Sequence, residues 1–380
     1  MVCRKMKNIL IAPFLLLGSA LAQVAGPATP TPPPVLLPDF AYTQGWLGAD
    51  DAYSVPLGPH KSLWLFGDTF VGDSTTALRS ESKTMVRNSV GISICDDGKN
   101  CTIRYFWLHS ESPKPRSFFD TETDDLWYWP LDGVLRGKTL YVSLMVIRNK
   151  PKTTPADVFG FEIAGTKLAT ISNPQESPEK WHVVIQDFTD GHLWPGVSIV
   201  EDRNYVVWYT QVSSGSGRGY MTALRIRPGK ITTAPGAWEH LSIDGHWKRG
   251  LPGDDAMHVI DQPISEMSVR YHPSIHKWIA LSIGPEFPSP RAVVRTADSP
   301  GGPWSEPQTV FEFPEMKNTT PRYDKDTFCY AVKEHVEFSD AKIAMTYACN
   351  SMVVAKVMAD MQIYRPKVVI LDLPKLDTHK

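Results

Sequence analysis

Asp50 and Asp68 are the residues of this chain whose types and spacing suit shared chemistry. The run Asp50–Leu57 ends in a turn at Gly58–Lys61, and the chain returns as Leu63-Trp64-Leu65-Phe66 followed by Gly67-Asp68-Thr69. Folded as a hairpin, either register that this turn allows leaves Asp50 and Asp68 within one rung of each other at the hairpin mouth. Carboxylates that close repel, so one keeps its proton to higher pH while the other stays ionised. An acid and a base held together in this way are what cleavage of a glycosidic bond requires. The alternative for Asp50, its neighbour Asp51 and Asp68 is that they cap turns, a common use of short acidic side chains.

The segments that must hold such a pair read as strands throughout. Ser62–Phe66, Thr139–Ile147, Tyr205–Val212, Lys277–Ile283 and Lys342–Tyr347 are short, rich in β-branched and aromatic residues, and separated by Gly, Pro and Asp clusters. Trp129-Pro130 through Val142 aligns with Trp194-Pro195 through Val207: Val134 falls on Ile199, Lys138 on Arg203, Leu140 on Tyr205. The same pattern, a β segment, a tight turn, a basic residue and an apolar strand, recurs around Lys61, Lys277 and Lys342, making five units. A long-period repeat of all-β units means a propeller or a solenoid. The expectation is an all-β, single-domain, five-bladed β-propeller with four strands per blade, its ring closed by a strand from Ile363–Leu373. A two-sheet sandwich is the competing architecture, and sandwiches rarely repeat internally at this length.

In a propeller the innermost strands line the axis. Asp132, Glu266 and His335 each lie shortly before the basic turn residue of their own unit, and are expected to join the aspartate pair there, binding substrate or tuning its pKa. Trp127, Tyr128 and Trp129 read as a loop whose flat rings suit sugar faces, with blade packing as the alternative for Trp129.

The run Gly48-Ala49-Asp50-Asp51-Ala52-Tyr53-Ser54-Val55-Pro56-Leu57, then Leu63–Thr69, Arg87-Asn88-Ser89 and Trp129-Pro130-Leu131-Asp132-Gly133, resembles the first blades of a glycoside hydrolase family, number 183. These are five-bladed propellers, formerly a domain of unknown function, that include bacterial endo-D-arabinanases. The resemblance implies an endo-acting hydrolase of a furanose polysaccharide such as D-arabinan. It places Asp50 and Asp68 on the catalytic aspartates and Asn88 on a substrate contact, and it requires no cofactor. Asp51 departs from the pattern, which has a small residue there, and stands as a second acidic candidate beside the substrate. Related propellers act on L-arabinans and fructans, and a non-catalytic carbohydrate-binding propeller is the reading from another class.

Composition narrows the partners. With 39 basic and 41 acidic residues the chain has no cationic field for nucleic acid or anionic membrane. Arg4, Lys5 and Lys7, the apolar run Ile9–Leu17 and Ala20-Leu21-Ala22 read as a signal peptide over residues 1–22. That run falls short of the roughly 20 residues that span a bilayer, so no membrane anchor is expected. Residues 23–40 are a Pro-rich spacer, residues 41–380 the catalytic domain, and the mature protein is expected to be a secreted or periplasmic monomer. Four cysteines remain after removal of Cys3. Cys95 and Cys101 bracket the hairpin signal Asp97-Gly98 and should bridge, leaving Cys329 to pair with Cys349. Their spacing does not fit zinc, and no metal site is expected.

Overall fold

The computed structural model of the protein describes residues 37–374, apart from 83, 97–99, 110–113, 122, 124, 152–159, 214–217 and 340. The predicted signal peptide, most of the spacer and the Asp97-Gly98 turn lie outside the described residues.

Five large antiparallel sheets form in chain order, each built on a meander, so the five-bladed β-propeller expected from the repeat is the observed fold; a small two-stranded sheet, Leu108–His109 with Pro115–Arg116, lies outside them. Blade 1 runs outward through Trp46–Gly58, Lys61–Val71, Ser89–Cys95 and Cys101–Phe106. Blade 2 comprises Leu126–Arg136, Thr139–Asn149, Phe161–Ile171 and Val183–Asp190. Blade 3 begins with Leu193–Asp202, Tyr205–Ser213 and Gly219–Ile226 and ends in the short Glu239–Leu241 and Trp247–Arg249. Blade 4 holds Met267–His272, Lys277–Ile283, Arg291–Ala297 and Gln308–Glu312, and blade 5 Thr327–Glu334, Lys342–Ser351 and Lys367–Asp372. The first strand of each blade packs on the first strand of the next, and that of blade 5 returns to that of blade 1, which closes the ring around an axis. Lys61, Lys138, Arg203, Lys277 and Lys342 all stand at or beside the turn between first and second strands, as the repeat implied.

Three expectations need correction. The blades do not all carry four strands, since among the described residues blade 3 has five and blade 5 three. Trp127, Tyr128 and Trp129 lie in the inner strand of blade 2, not in a loop. The C-terminal strand, Lys367–Asp372, pairs with Lys342–Tyr347 as the outer edge of blade 5 and does not join blade 1. Closure therefore rests on side chains. Arg79 is fully buried and donates to main-chain oxygens of Leu47, Val357, Asp360 (3.1 Å) and Ile363 (2.9 Å), tying blade 1 to the short helix Val354–Ala359 and the turn after it. Gly48, at φ +116, lets these parts approach, since a Cβ there would lie 2.3 Å from the Tyr364 carbonyl oxygen.

The unbroken apolar run Leu63-Trp64-Leu65-Phe66 reflects a strand buried on both faces. Leu63 and Leu65 pack with Leu140, Val142 and Leu144 of blade 2, whereas Trp64 and Phe66 join a cluster that includes Ala344 of blade 5. One strand thus feeds two seams. Cys95–Cys101 and Cys329–Cys349 are both disulfide-bonded, each pair joining directly opposed residues of neighbouring strands.

Candidate active site

Paired, mutually compensating irregularities shape the backbone of blade 1 around the two aspartates. Ala49 lies opposite Thr69, Asp51 opposite Phe66 and Tyr53 opposite Leu65, so an extra residue at Gly67-Asp68 on one strand is offset by an extra residue at Ala52 on the other. Asp51 and Ala52 take φ values of 74 and 70. Left-handed backbone at residues other than glycine costs on the order of 1–3 kcal/mol each and persists only where surrounding contacts hold it. Here those contacts are the burial of Ala52 and the ion pair of Asp51 with Lys333.

Asp50 and Asp68 have different partners. Asp50 Oδ2 accepts a hydrogen bond from the Tyr330 hydroxyl at 2.7 Å. Burial, then the charge of Asp68, push the Asp50 pKa up to about 7, with hydrogen bonds from Tyr330 and Tyr364 opposing and Glu266 adding to the rise. Asp68 Oδ1 accepts from Trp129 Nε1 at 3.0 Å, and its Oδ2 lies 3.4 Å from Arg87 Nη1. Burial raises the Asp68 pKa too, while Arg87 and Trp129 pull against it. One carboxyl is therefore poised to hold a proton at neutral pH, and its neighbour has a cation and a donor that favour the ionised form.

Behind the pair lies a second acidic cluster. Lys333, only 1% exposed, sits 3.0 Å from Asp51 and 3.2 Å from Glu266, with its ammonium 4.2 Å from the centre of the Tyr53 ring. Burial works against the charge of Lys333, but Glu266 and Asp51 outweigh it and its pKa is raised. Burial likewise drives the Asp51 pKa well up, with Lys333 opposing. A bulge at Ala331, φ 55, explains how one strand supplies both Tyr330 and Lys333. Strict alternation would point these two to opposite faces, and the extra residue restores them to one.

The other expected site residues occupy three kinds of position. Trp129 donates directly to Asp68, and Glu266 reaches the cluster through Lys333. Asn88 is fully buried, its amide donating to the main-chain oxygens of Phe119 (2.8 Å) and Tyr128 (2.9 Å) and accepting from Phe119 N–H (2.7 Å). It holds the strand beside Trp129. Asp132 is 1% exposed and accepts from Gly133 N–H and Ile199 N–H, each at 2.8 Å, with Arg270 at 3.5 Å, joining blades 2, 3 and 4. His335 is fully buried, with Ser54 Oγ 2.7 Å from Nδ1 and Thr346 Oγ1 2.8 Å from Nε2, and burial depresses its pKa strongly. Sequence reasoning missed Arg87, Tyr330 and Lys333. A lysine directly after the apolar pair Ala331-Val332, in a strand, was the local sign of a buried charge awaiting partners.

A cleft of about 400 Å³ opens between blades 3 and 4 with Glu266 and Ala331 in its wall. Larger cavities exist elsewhere, so size alone would not have located the cluster. Among the described residues the grouping of possible metal ligands is Glu315 with Cys329 and Cys349, whose sulfurs are bonded to each other.

A family model described as a domain of unknown function (DUF5005) matches residues 39–371. No curated protein matches the chain. Among solved structures, a Bacteroides ovatus ATCC 8483 protein assigned as a hydrolase shares 19% identity at a TM-score of 0.67, with 87% of each chain covered. That similarity is one of fold. An endo-arabinase from Bacteroides thetaiotaomicron VPI-5482 (13% identity, TM-score 0.45, covering 87% of this chain and 96% of that one) is more distant. So is an α-L-arabinofuranosidase from Podospora anserina (11%, 0.44, 87% and 92%).

Proposed function

The chain belongs to the family described as a domain of unknown function (DUF5005), and we propose that it is a glycoside hydrolase acting through Asp50 and Asp68. The carrying observation is the unequal surroundings of two adjacent carboxyls. Asp50, with its pKa near 7, protonates the leaving glycosidic oxygen. Asp68, with Arg87 and Trp129 on its two oxygens, is the ionised partner. It serves either as the base that activates water or as the nucleophile on the sugar. Glu266 and Trp129 contact the sugar beside them. Asp51 and Lys333 keep Glu266 in place, and Asn88, Asp132 and His335 hold the blades that carry the site.

The substrate is a neutral furanose polysaccharide, with D-arabinan the first choice. The blade 1 motif from Gly48 to Thr69 and the absence of a net cationic field support that choice. Export through the N-terminal signal would bring the enzyme to such a polymer, and the two disulfides suit that compartment.

The experiment is to incubate the protein with D-arabinan, L-arabinan and fructan and to measure new reducing ends. Hydrolysis of D-arabinan is expected, and Asp50→Asn or Asp68→Asn should each lower it by about 10²–10⁴-fold with the fold intact. Binding without any product would establish a non-catalytic carbohydrate module instead. Near-normal turnover in both variants would remove the aspartate pair from the reaction.

A further inference from the structure

We propose that the cleft between blades 3 and 4 is a subsite for sugar units beyond the one cleaved, so that the protein grips a continuous neutral polysaccharide chain. The inference rests on the glycosidase reading. It begins from continuity: the cleft wall includes Glu266, held by Lys333, and Ala331, the residue next to the Tyr330 that donates to Asp50. A chain reacting at the aspartate pair therefore has this cleft as an adjoining surface.

The walls have the chemistry for it. Trp194 is half-buried and its Nε1 donates to the Gly191 carbonyl oxygen at 2.8 Å, so its indole offers the cleft carbon surface and no free donor. Phe287 is 56% exposed at the rim. Gln211 is 4% exposed, and its side-chain oxygen accepts no hydrogen bond among the described residues. A buried acceptor left in that state carries a desolvation cost that a sugar hydroxyl relieves. Arg218, also in the lining, supplies exposed donors. Glu266 and Glu286 both have basic partners, Lys333 at 3.2 Å and Arg291 at 3.2 Å, so the cleft does not present a bare acidic surface. Aromatic faces with a few directed polar groups are how proteins hold neutral sugars.

The path continues past this cleft. Gln262 and Pro285 belong both to it and to a larger cavity of about 810 Å³ along the same seam, lined further out by Arg295 and Trp304. At the junction Gln262 Oε1 accepts from Arg295 Nη2 at 2.9 Å, which fixes its position. A groove that runs on past the reacting unit accommodates an internal stretch of polymer, whereas an enzyme trimming chain ends needs a closed pocket.

The test compares D-arabinan with the shortest D-arabino-oligosaccharide that the wild-type protein cleaves, using Phe287→Ala and Gln211→Leu. Each variant is expected to lose about tenfold more kcat/KM on the polymer than on the short substrate, the size of one lost hydrogen bond or ring contact. Equal losses on both substrates, or none on either, overturn the subsite while Asp50→Asn still lowers turnover by about 10²–10⁴-fold. Failure of the wild-type protein to cleave either substrate overturns the glycosidase reading, and the subsite with it.

Discussion

Gly67 lies against the carboxylate of Asp50: a Cβ at Gly67 would stand 2.5 Å from Asp50 Oδ1. No side chain fits there, so the glycine is what allows the carboxyl to rest on the neighbouring strand within reach of Tyr330. Gly67→Ala is expected to displace the Asp50 carboxyl. A shift of about 1 Å in a reacting group can cost about 10²-fold in rate. The expected outcome is a kcat loss of that order with a thermal midpoint close to that of the wild type. Full activity in Gly67→Ala would show that the position of Asp50 is not critical.

The pH dependence follows from the direction of each shift. The productive form has Asp50 protonated and Asp68 ionised, so kcat/KM rises with pH as Asp68 loses its proton. It then falls above about 7 as Asp50 loses its own. Arg87 lowers the Asp68 pKa, so Arg87→Leu should move the rising limb to higher pH. A profile measured on D-arabinan from about pH 4 to about pH 9 checks both limbs, whose apparent values belong to the pair. A rate still climbing at the upper end would rule out Asp50 as the acid.

Lys333 is a single buried ammonium shared by two carboxylates. Lys333→Met keeps the stem volume and removes the charge, leaving Asp51 and Glu266 facing each other without it. Breaking a buried pair costs about 3–5 kcal/mol, because the remaining charge stays desolvated. Urea unfolding should show a loss of that size, and adding Asp51→Asn to Lys333→Met should recover part of it. A loss below about 1 kcal/mol, the range of exposed ion pairs, would mean that water reaches the cluster.

Much of this was legible in the order of residues because it is short-range. A turn at Gly58–Lys61 dictates which strands meet, so Asp50 within a rung of Asp68 could be anticipated from the hairpin alone, as could the Cys95–Cys101 bridge. The five basic turn residues from Lys61 to Lys342 announced five units, since each blade repeats the same turn chemistry. What the sequence determined was therefore the blades and one carboxylate pair. Tertiary structure decided the rest, because the ring sets residues far apart in the chain side by side. Tyr330 reaches Asp50, and Lys333 reaches Asp51 and Glu266, across blade seams that no local pattern encodes. Inner-strand position was also insufficient to separate Glu266 from Asp132 and His335. The bulges at Ala52 and Ala331 turn side chains from one face to another, and a period-two reading has no means to foresee which of them open on the cleft and which tie blade to blade.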